Sequence, residues 1–382
     1  MRSISHRTCN RMSTRGRVAI ACASLVGFAG LIVAPVSAAT QKSTKVCKSA
    51  NGIRVKDAGI CKGLAFYTGR TITYVNIGSI GGPFDDLAIA MQPYLEQYLG
   101  ATVNIASYPT GNTIPGQDYL AHALPDGLTV GLLNPLNDVS DILTSTPGIN
   151  FNPGRLAYLV SAGVAGSPLV TPVGSGYTSF GQLISASTAG KLKMLTQTTG
   201  TTNTILRTWM GVMGIRPTWI SGYNKLADEV TGLLRGDGPI ADIDLSFSCG
   251  MLQAGKVIAL ATNVVPPVNT NCRKYLAVVP TFKQLEKTYP PTTKKLKTEW
   301  NTLNSLLAVT GNPTVTQTSV AGYKVNTLRA AMKWAYTQPA FKTTMLGFGQ
   351  NPTYGNPVQS KQNYLTALRL GKSVICYVQE TC

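Results

Sequence analysis

Two loops rich in glycine and hydroxyl residues are the parts of the sequence best suited to bind an anion. The first is Gly78-Ser79-Ile80-Gly81-Gly82, and the second runs from Thr196 to Asn203. Each joins a predicted strand to a predicted helix, so unpaired backbone N–H groups and the positive end of a helix dipole converge there. If the loops face each other, they can bind carboxylates without lysine or arginine. Ordinary strand-to-helix turns remain an alternative for each loop alone.

Residues for catalysis are scarce. His122 is the only histidine besides His6, and no Gly-x-Ser-x-Gly elbow, His-Glu-x-x-His pair or Walker loop occurs. The acid pairs Asp85/Asp86 and Asp242/Asp244 say little about separation in space, and we interpret Asp86 and Asp244 as exposed loop acids. The sequence therefore predicts a protein that is not an enzyme and that uses no cofactor and no metal.

The charge of the chain is strongly positive. It has 34 lysines and arginines against 16 acids, a formal charge of +18, although only 13% of the residues are charged. The basic residues are scattered, and the longest cluster is Lys294-Lys295 with Lys297, without interleaved aromatic residues. We therefore expect a solvated basic face and no nucleic-acid partner.

The N-terminal segment has the pattern of a secretory signal. Five arginines and no acid occur in residues 1–17, an apolar run follows at 18–36, and Val36-Ser37-Ala38-Ala39 supplies small residues. We predict a signal peptide at residues 1–39, and its removal lowers the formal charge from +18 to +13. The location expected is the periplasm or cell envelope, or secretion; an uncleaved membrane anchor remains open.

Export makes the cysteines informative. Six of them follow the predicted cleavage site, and none forms a Cys-x-x-Cys pair, so disulfides are expected in an oxidising compartment. Short loops favour pairing between neighbours, although the sequence leaves other connectivities open. The predicted pairs are Cys47 with Cys61, Cys249 with Cys272, and Cys376 with Cys382.

Alternating short β-branched runs and helical patterns surround both loops. Strands are predicted at 71–77, 102–106 and 129–133, and, after a Gly/Pro-rich segment, at 192–196, 240–245 and 256–262, with helices between them. The tail is predicted to add a strand at 303–309 and a helix near 320–337. This pattern indicates an α/β fold with a mostly parallel, helix-covered sheet in each of two doubly wound lobes around a central cleft.

The predicted domains follow from this alternation. They are a Cys-containing extension at 40–69, lobe one at 70–165 plus 303–382, and lobe two at 166–302. We place a hinge near 163–167 and the return of the chain near 298–303.

Several motifs resemble one family of receptors. Residues 71 to about 350 are similar to the substrate-binding proteins of tripartite tricarboxylate transporters, the Bug or TctC-like group. The family patterns Gly-Gly-x-x-Asp-x-x-Ala, Pro-Asp-Gly-Tyr-Thr and Val-Pro-Thr-x-x-Glu correspond here to Gly81-Gly82-Pro83-Phe84-Asp85-Asp86-Leu87-Ala88, Pro125-Asp126-Gly127-Leu128-Thr129 and Val279-Pro280-Thr281-Phe282 with Glu286. The chain departs from the family at Ile89, where an arginine is usual, and at Leu128.

The resemblance implies a monomeric, periplasmic-binding-protein-like Venus flytrap that captures a small organic carboxylate and presents it to membrane permease subunits. Asp85 is expected to order a water molecule or to take an amino group of the ligand. An alternative is a secreted or envelope interaction protein that kept the fold without a transport function. The ligand-binding residues implied are Ser79, Ile80, Gly81, Gly82 and Asp85 in lobe one, and Thr198, Gly200, Thr201 and Thr202 in lobe two.

Overall fold

The computed structural model describes residues 46–370 except 112, 144, 164–165, 198–203, 264–271 and 291–293. The predicted signal peptide and the predicted Cys376–Cys382 bond lie outside the described residues. Within them, no helix combines the length and the hydrophobicity needed to cross a bilayer.

Short strands alternate with helices along the described chain. The strands are β1 (Cys47–Lys48), β2 (Arg54–Val55), β3 (Thr71–Asn76), β4 (Thr102–Ser107), β5 (Thr129–Leu132), β6 (Leu156–Gly163), β7 (Pro168–Pro172), β8 (Lys193–Gln197), β9 (Thr218–Tyr223), β10 (Ala241–Asp242), β11 (Val257–Thr262), β12 (Asn312–Gln317) and β13 (Asn351–Gly355). The helices are α1 (Ala58–Tyr67), α2 (Pro83–Leu99), α3 (Ile114–His122), α4 (Pro135–Leu143), α5 (Phe180–Thr188), α6 (Thr204–Val212), α7 (Leu226–Arg235), α8 (Leu245–Gln253), α9 (Arg273–Leu276), α10 (Phe282–Thr288), α11 (Lys294–Thr310), α12 (Gly322–Ala335), α13 (Pro339–Gly347) and α14 (Pro357–Leu370).

The first β-α unit follows from its local sequence. β3 is rich in β-branched and aromatic residues, and Ile72, Tyr74 and Val75 are buried. α2 begins with Pro83 at its first turn, buries Leu87, Met91, Leu95 and Leu99 on one face, and ends at Gly100 in the left-handed conformation. The loop 78–82 therefore joins two elements that are fixed by the core.

A six-stranded sheet has the order β13-β6-β12-β5-β3-β4. β3 pairs in parallel with β4 and β5, whereas β12 runs antiparallel to β5 and β6, and β13 antiparallel to β6. The α/β class is confirmed, but the prediction of a mostly parallel sheet is wrong for this one. The reason is that the returning strand β12 enters the middle of the sheet from the opposite end.

A second group of strands follows the crossing between Gly163 and Pro168. β10, β7 and β11 form an antiparallel sheet, and β8 pairs in parallel with β9. The two parts meet where the N–H of Leu195 donates to the carbonyl oxygen of Ile240 at 2.8 Å. Helices α5 to α10 lie in the same stretch of chain.

The strand predicted at 303–309 is wrong, because these residues belong to helix α11. A short apolar run fits a strand as well as a helix, but the buried residues Trp300, Leu303 and Leu307 follow the spacing of one helix face. The return predicted near 298–303 therefore lies inside α11, and the following strand, β12, was missed. The strand predicted at 240–245 is shortened to β10, since α8 starts at Leu245.

Two of the three predicted disulfides are confirmed. Cys47 and Cys61 are bonded with their Cα atoms 5.7 Å apart, and this bond ties the β1–β2 hairpin to α1. Cys249 and Cys272 are bonded with a Cα separation of 5.5 Å, and this bond joins α8 to the start of α9. Both pairs are nearest neighbours along the chain, as short loops favour.

Candidate functional site

A cavity of about 710 Å³ lies between the two groups of strands. Its walls include Phe84 at the start of α2, Asn134 after β5 and Asn312 at the start of β12, all next to strands of the six-stranded sheet. Further lining residues come from α4, from β8 to α8, and from α10 and α11. This volume is typical of sites for small organic molecules.

The predicted loop of lobe one lies at the edge of this cavity. Pro83 and Phe84, which follow the loop directly, line the wall. Ser79 is buried, whereas the side chain of Ile80 is 69% exposed. Gly81 has a φ of 72°, a left-handed conformation that glycine adopts without strain.

Hydrogen bonds within the chain hold this loop in place. Asp85 accepts at Oδ1 from Asn76 Nδ2 at 2.9 Å and at Oδ2 from the N–H of Gly81 at 2.8 Å. The N–H of Gly78 donates to Asn76 Oδ1 at 3.0 Å, and that of Gly82 to the Ser79 carbonyl at 3.0 Å. Both oxygens of Asp85 therefore accept from the protein itself.

Two backbone N–H groups of the loop have no acceptor among the described residues. The N–H groups of Ser79 and Ile80 form no hydrogen bond with any described residue. They lie just before the N-terminus of α2, where the helix dipole favours negative charge. The loop thus retains the capacity to bind an anion through its backbone.

The predicted residues of the second loop, Thr198, Gly200, Thr201 and Thr202, lie outside the described residues. The described ends on either side of the loop do line the cavity. Thr196 and Gln197 are the last residues of β8, and Leu206 lies in the first turn of α6.

Three acids in the part of the wall formed by the second group of elements were not predicted as site residues. Glu229 of α7, Asp242 of β10 and Asp244 at the N-cap of α8 all line the cavity. The interpretation of Asp244 as an exposed loop acid is wrong, because it is half-buried in the cavity wall. Asp86 is also buried, at 6% exposure, because it lies on the inner face of α2.

Burial raises the pKa of each of these acids. The pKa of Glu229 rises to about 8 because of burial, against a hydrogen bond from Gln197, and the charge of Asp244 raises it further. Burial also raises the pKa of Asp242, opposed by Ser167 Oγ, which donates to Asp242 Oδ1 at 2.7 Å. For Asp244, burial raises the pKa to about 6.

Asp86 belongs to a second, adjoining network. Burial raises its pKa to about 7, hydrogen bonds with Ser246 and Gln350 lower it, and the charges of Asp85 and Asp244 raise it. Gln350 Nε2 also donates to Ser246 Oγ at 3.0 Å. Since Asp86 belongs to α2 and Ser246 to α8, this network connects the two groups of elements across the edge of the cavity.

The cations of the cavity wall lie on α10 and α11. Lys297 Nζ is 3.7 Å from Glu286 Oε2, and Trp300 Nε1 donates to Glu286 Oε1 at 3.2 Å. Lys283 and Lys287 line the cavity and are exposed. No lysine or arginine in the described ranges forms an ion pair with Glu229, Asp242 or Asp244.

His122 has no place in this site. Its side chain is 60% exposed at the end of α3, and its Nδ1 lies 2.8 Å from the carbonyl oxygen of Asp118. Among the described residues, no three His, Cys, Asp or Glu side chains are arranged to hold a metal ion.

Several solved protein structures have a similar arrangement of helices and strands. The periplasmic binding protein BugD is similar with a TM-score of 0.63 and 17% identity, over 81% of this chain and 98% of its own. MatC from Rhodopseudomonas palustris, solved with malate, is similar with a TM-score of 0.63 and 15% identity, over 80% of this chain and 99% of its own. Another R. palustris protein, solved with adipate, has a TM-score of 0.64 and 16% identity, over 81% of this chain and 97% of its own.

The chain therefore has the fold of the Bug and TctC-type periplasmic binding proteins, as the motifs indicated. The sequence matches no protein-family model and no curated protein. At these identities the likeness concerns the fold.

Proposed function

We propose that the protein is an extracytoplasmic solute-binding protein that captures a small organic carboxylate between two lobes. The observation that carries this proposal is the cavity of about 710 Å³ with walls from both groups of strands. The free N–H groups of Ser79 and Ile80 at its edge suit a carboxylate, since backbone donors at a helix N-terminus bind anions without a cationic side chain. Malate and adipate in two proteins of the same fold are ligands of this class.

The ligand would bridge the two loops. Lobe one, at 70–165 and 303–382, contributes Ser79, Ile80, Gly81 and Gly82, with Asp85 holding the loop in shape. Lobe two, at 166–302, contributes the second loop, with Thr198, Gly200, Thr201 and Thr202. A ligand that contacts both loops only when they are close stabilises the closed state by those additional contacts.

Transport is the role that follows from such capture. The protein, exported by its N-terminal signal into the periplasm or cell envelope, would act as a monomer and deliver the carboxylate to the permease subunits of a tripartite tricarboxylate-type transporter. Binding requires no catalytic group, and we assign the protein no enzymatic activity.

A thermal-shift screen tests the proposal. The purified exported chain would be heated with malate, succinate, adipate, aromatic acids and acidic amino acids in separate samples. A ligand at one hundred times its dissociation constant is expected to stabilise the protein by about 2.7 kcal/mol. If no carboxylate raises the melting temperature, the proposed function is wrong, and an interaction protein that kept the fold becomes the better explanation.

A further inference from the structure

We propose that the wall formed by Glu229, Asp242 and Asp244 binds an ammonium group, so that the ligand is a zwitterion with its carboxylate and its ammonium at opposite ends. The carboxylate end rests on the proposed function; the ammonium end rests on the cavity itself. We name these three residues the acidic wall.

The acidic wall brings three carboxyl groups together without a protein cation, and Asp244, whose pKa is about 6, is ionised at pH 7. Asp244 raises the pKa of both Glu229 and Asp242, so the three carboxyl groups are close enough to interact electrostatically. Ser167 and Gln197 each donate one neutral hydrogen bond. The carboxyl group of Asp244 has no hydrogen-bond partner among the residues that the structure describes. A buried carboxylate is stable only when it is paired, hydrogen-bonded or protonated.

A second acceptor in the same cavity also lacks a donor. Asn312 lines the cavity at the start of β12 and is only 5% exposed. Its buried Oδ1 atom has no hydrogen-bond partner within the described chain. Since Asn312 belongs to the six-stranded sheet and Asp244 to the other group of elements, two separate walls both offer an acceptor. An ammonium group carries three donors and no acceptor, and it matches this set.

Aromatic rings add to the match. Phe84, Trp219, Phe282 and Trp300 all line the cavity. Aromatic faces attract an organic ammonium ion, the more so where water is excluded. The guanidinium of Arg207 lies 4.2 Å from the Trp219 ring centroid, and the Phe282 ring stacks on Trp209 at 4.1 Å, whereas no ring or cation of the described chain stacks on Phe84 or Trp300.

A second carboxylate would be poorly placed at the acidic wall. It would bring a second negative charge beside the ionised Asp244, which is unfavourable in a partly desolvated site. The lysines of the cavity lie on α10 and α11, and Lys297 is already 3.7 Å from Glu286. The wall therefore selects for an ammonium end over a second carboxylate end.

A length-matched set of ligands tests this inference. Succinate, glutarate and adipate would be compared by isothermal titration calorimetry at pH 7 with the ω-amino acid and the diamine of the same chain length. We expect an ω-amino acid to bind at least about tenfold more tightly than the dicarboxylate of its length.

Each outcome separates this inference from the proposed function. Tighter dicarboxylate binding overturns the ammonium end and leaves the carboxylate function standing. Binding of diamines alone overturns the carboxylate function and supports the acidic wall. If none of these ligands binds, both the ammonium end and the carboxylate function are wrong. Tight binding of Ca²⁺ or Mg²⁺ that competes with the ω-amino acid would assign the wall to a metal and overturn the ammonium end.

A variant locates the ammonium end. Asp244→Asn keeps an N-cap residue on α8 and removes the charge. We expect it to weaken binding of the ω-amino acid about tenfold or more and to leave dicarboxylate binding unchanged or tighter. Asp228→Asn, on α7 and paired only with Lys225 at 3.9 Å, is the matched control and is expected to change neither. Equal effects of the two variants would contradict the assignment.

Discussion

Tyr364 donates a hydrogen bond of 2.8 Å from its hydroxyl group to Oδ2 of Asp138, 226 residues earlier in the chain. Asp138 also accepts at Oδ1 from Gln117 Nε2 at 2.8 Å and at Oδ2 from the N–H of Asn134 at 3.2 Å. Asn134 lines the cavity. The C-terminal helix α14 therefore helps to position a residue of the cavity wall through a buried carboxyl group.

Replacement of Tyr364 by phenylalanine is expected to destabilise the protein. The change removes one of three donors to a buried carboxyl group, a loss of about 1–3 kcal/mol in the free energy of unfolding. Urea denaturation measures it. Tyr354→Phe is the control, because Tyr354 is part-exposed and its hydroxyl forms no hydrogen bond with the described residues. Equal losses in the two variants would show that the hydrogen bond to Asp138 is not what matters.

Replacement of Gly82 by alanine is expected to weaken carboxylate binding. A Cβ atom there would lie 2.9 Å from the Ser79 carbonyl oxygen and 3.2 Å from the Phe247 ring, so the anion-binding loop has to shift. We expect a loss of about tenfold or more in affinity, measured by calorimetry with the tightest ligand of the screen. Gly250→Ala is the control, since its Cβ would meet nothing within 4 Å. Unchanged affinity of the Gly82 variant would show that the ligand lies elsewhere.

Stability is expected to fall as the pH rises from about 5 to 9. Burial raises the pKa of Asp86 to about 7, of Glu229 to about 8 and of Asp244 to about 6, above the values near 4 that acids have in unfolded chains. Between those limits the folded state binds more protons than the unfolded state. The stability that this contributes is present in full below the unfolded pKa and is lost as the pH passes the folded pKa values.

Melting temperatures in a pH series measure this dependence. Glu229→Gln, which is neutral at every pH, is expected to flatten it and to gain stability relative to the wild type at pH 9. Asp228→Asn, one residue earlier on α7 and with its side chain only half-buried, is expected to leave it unchanged. A melting temperature that rises steadily from pH 5 to 9 would contradict the raised pKa values.

Loss of the Cys249–Cys272 bond is expected to cost about 3 kcal/mol in the free energy of unfolding. The bond closes a loop with a sequence separation of 23 residues, and the cost comes mainly from the larger conformational freedom of the unfolded chain. The double variant Cys249→Ser/Cys272→Ser, compared with the wild type by urea denaturation, measures it. Intact mass before and after reduction tests in addition whether all six cysteines that follow residue 39 are paired, which includes the predicted Cys376–Cys382 bond.

The parts of the fold that could be predicted are those that short stretches of local sequence determine. β3, the loop 78–82 and α2 follow from a β-branched run, glycines and one apolar helix face. Neighbouring cysteines gave the two disulfides for the same reason. The run 303–309 was misread because seven mostly apolar residues fit either a strand or a helix, and only the inclusion of Trp300 reveals the helical spacing.

The acidic wall could not be predicted because it depends on contacts between distant elements. Glu229 lies on the buried face of α7. Asp242 ends the two-residue strand β10 and Asp244 follows it, and this strand pairs with β7, more than 70 positions earlier. The pair Asp242/Asp244 is visible in the sequence, but its spacing says little about where the two carboxyl groups lie. Nothing in the local sequence showed that α7 would bring a third carboxyl group beside them.

Helix α11 is a long, rigid helix that a single glycine joins to strand β12. Its 17 residues form a rod about 26 Å long that packs against α14 at one side and α6 at the other and continues through Gly311 into the central strand β12. A rotation of only about 5° at the Gly311 end would displace the opposite end by roughly 2 Å. A small torsion at a single glycine would thereby be amplified along the wall of the cavity, and a spectroscopic label in the first turn of α11 would report it as a change in distance to β12.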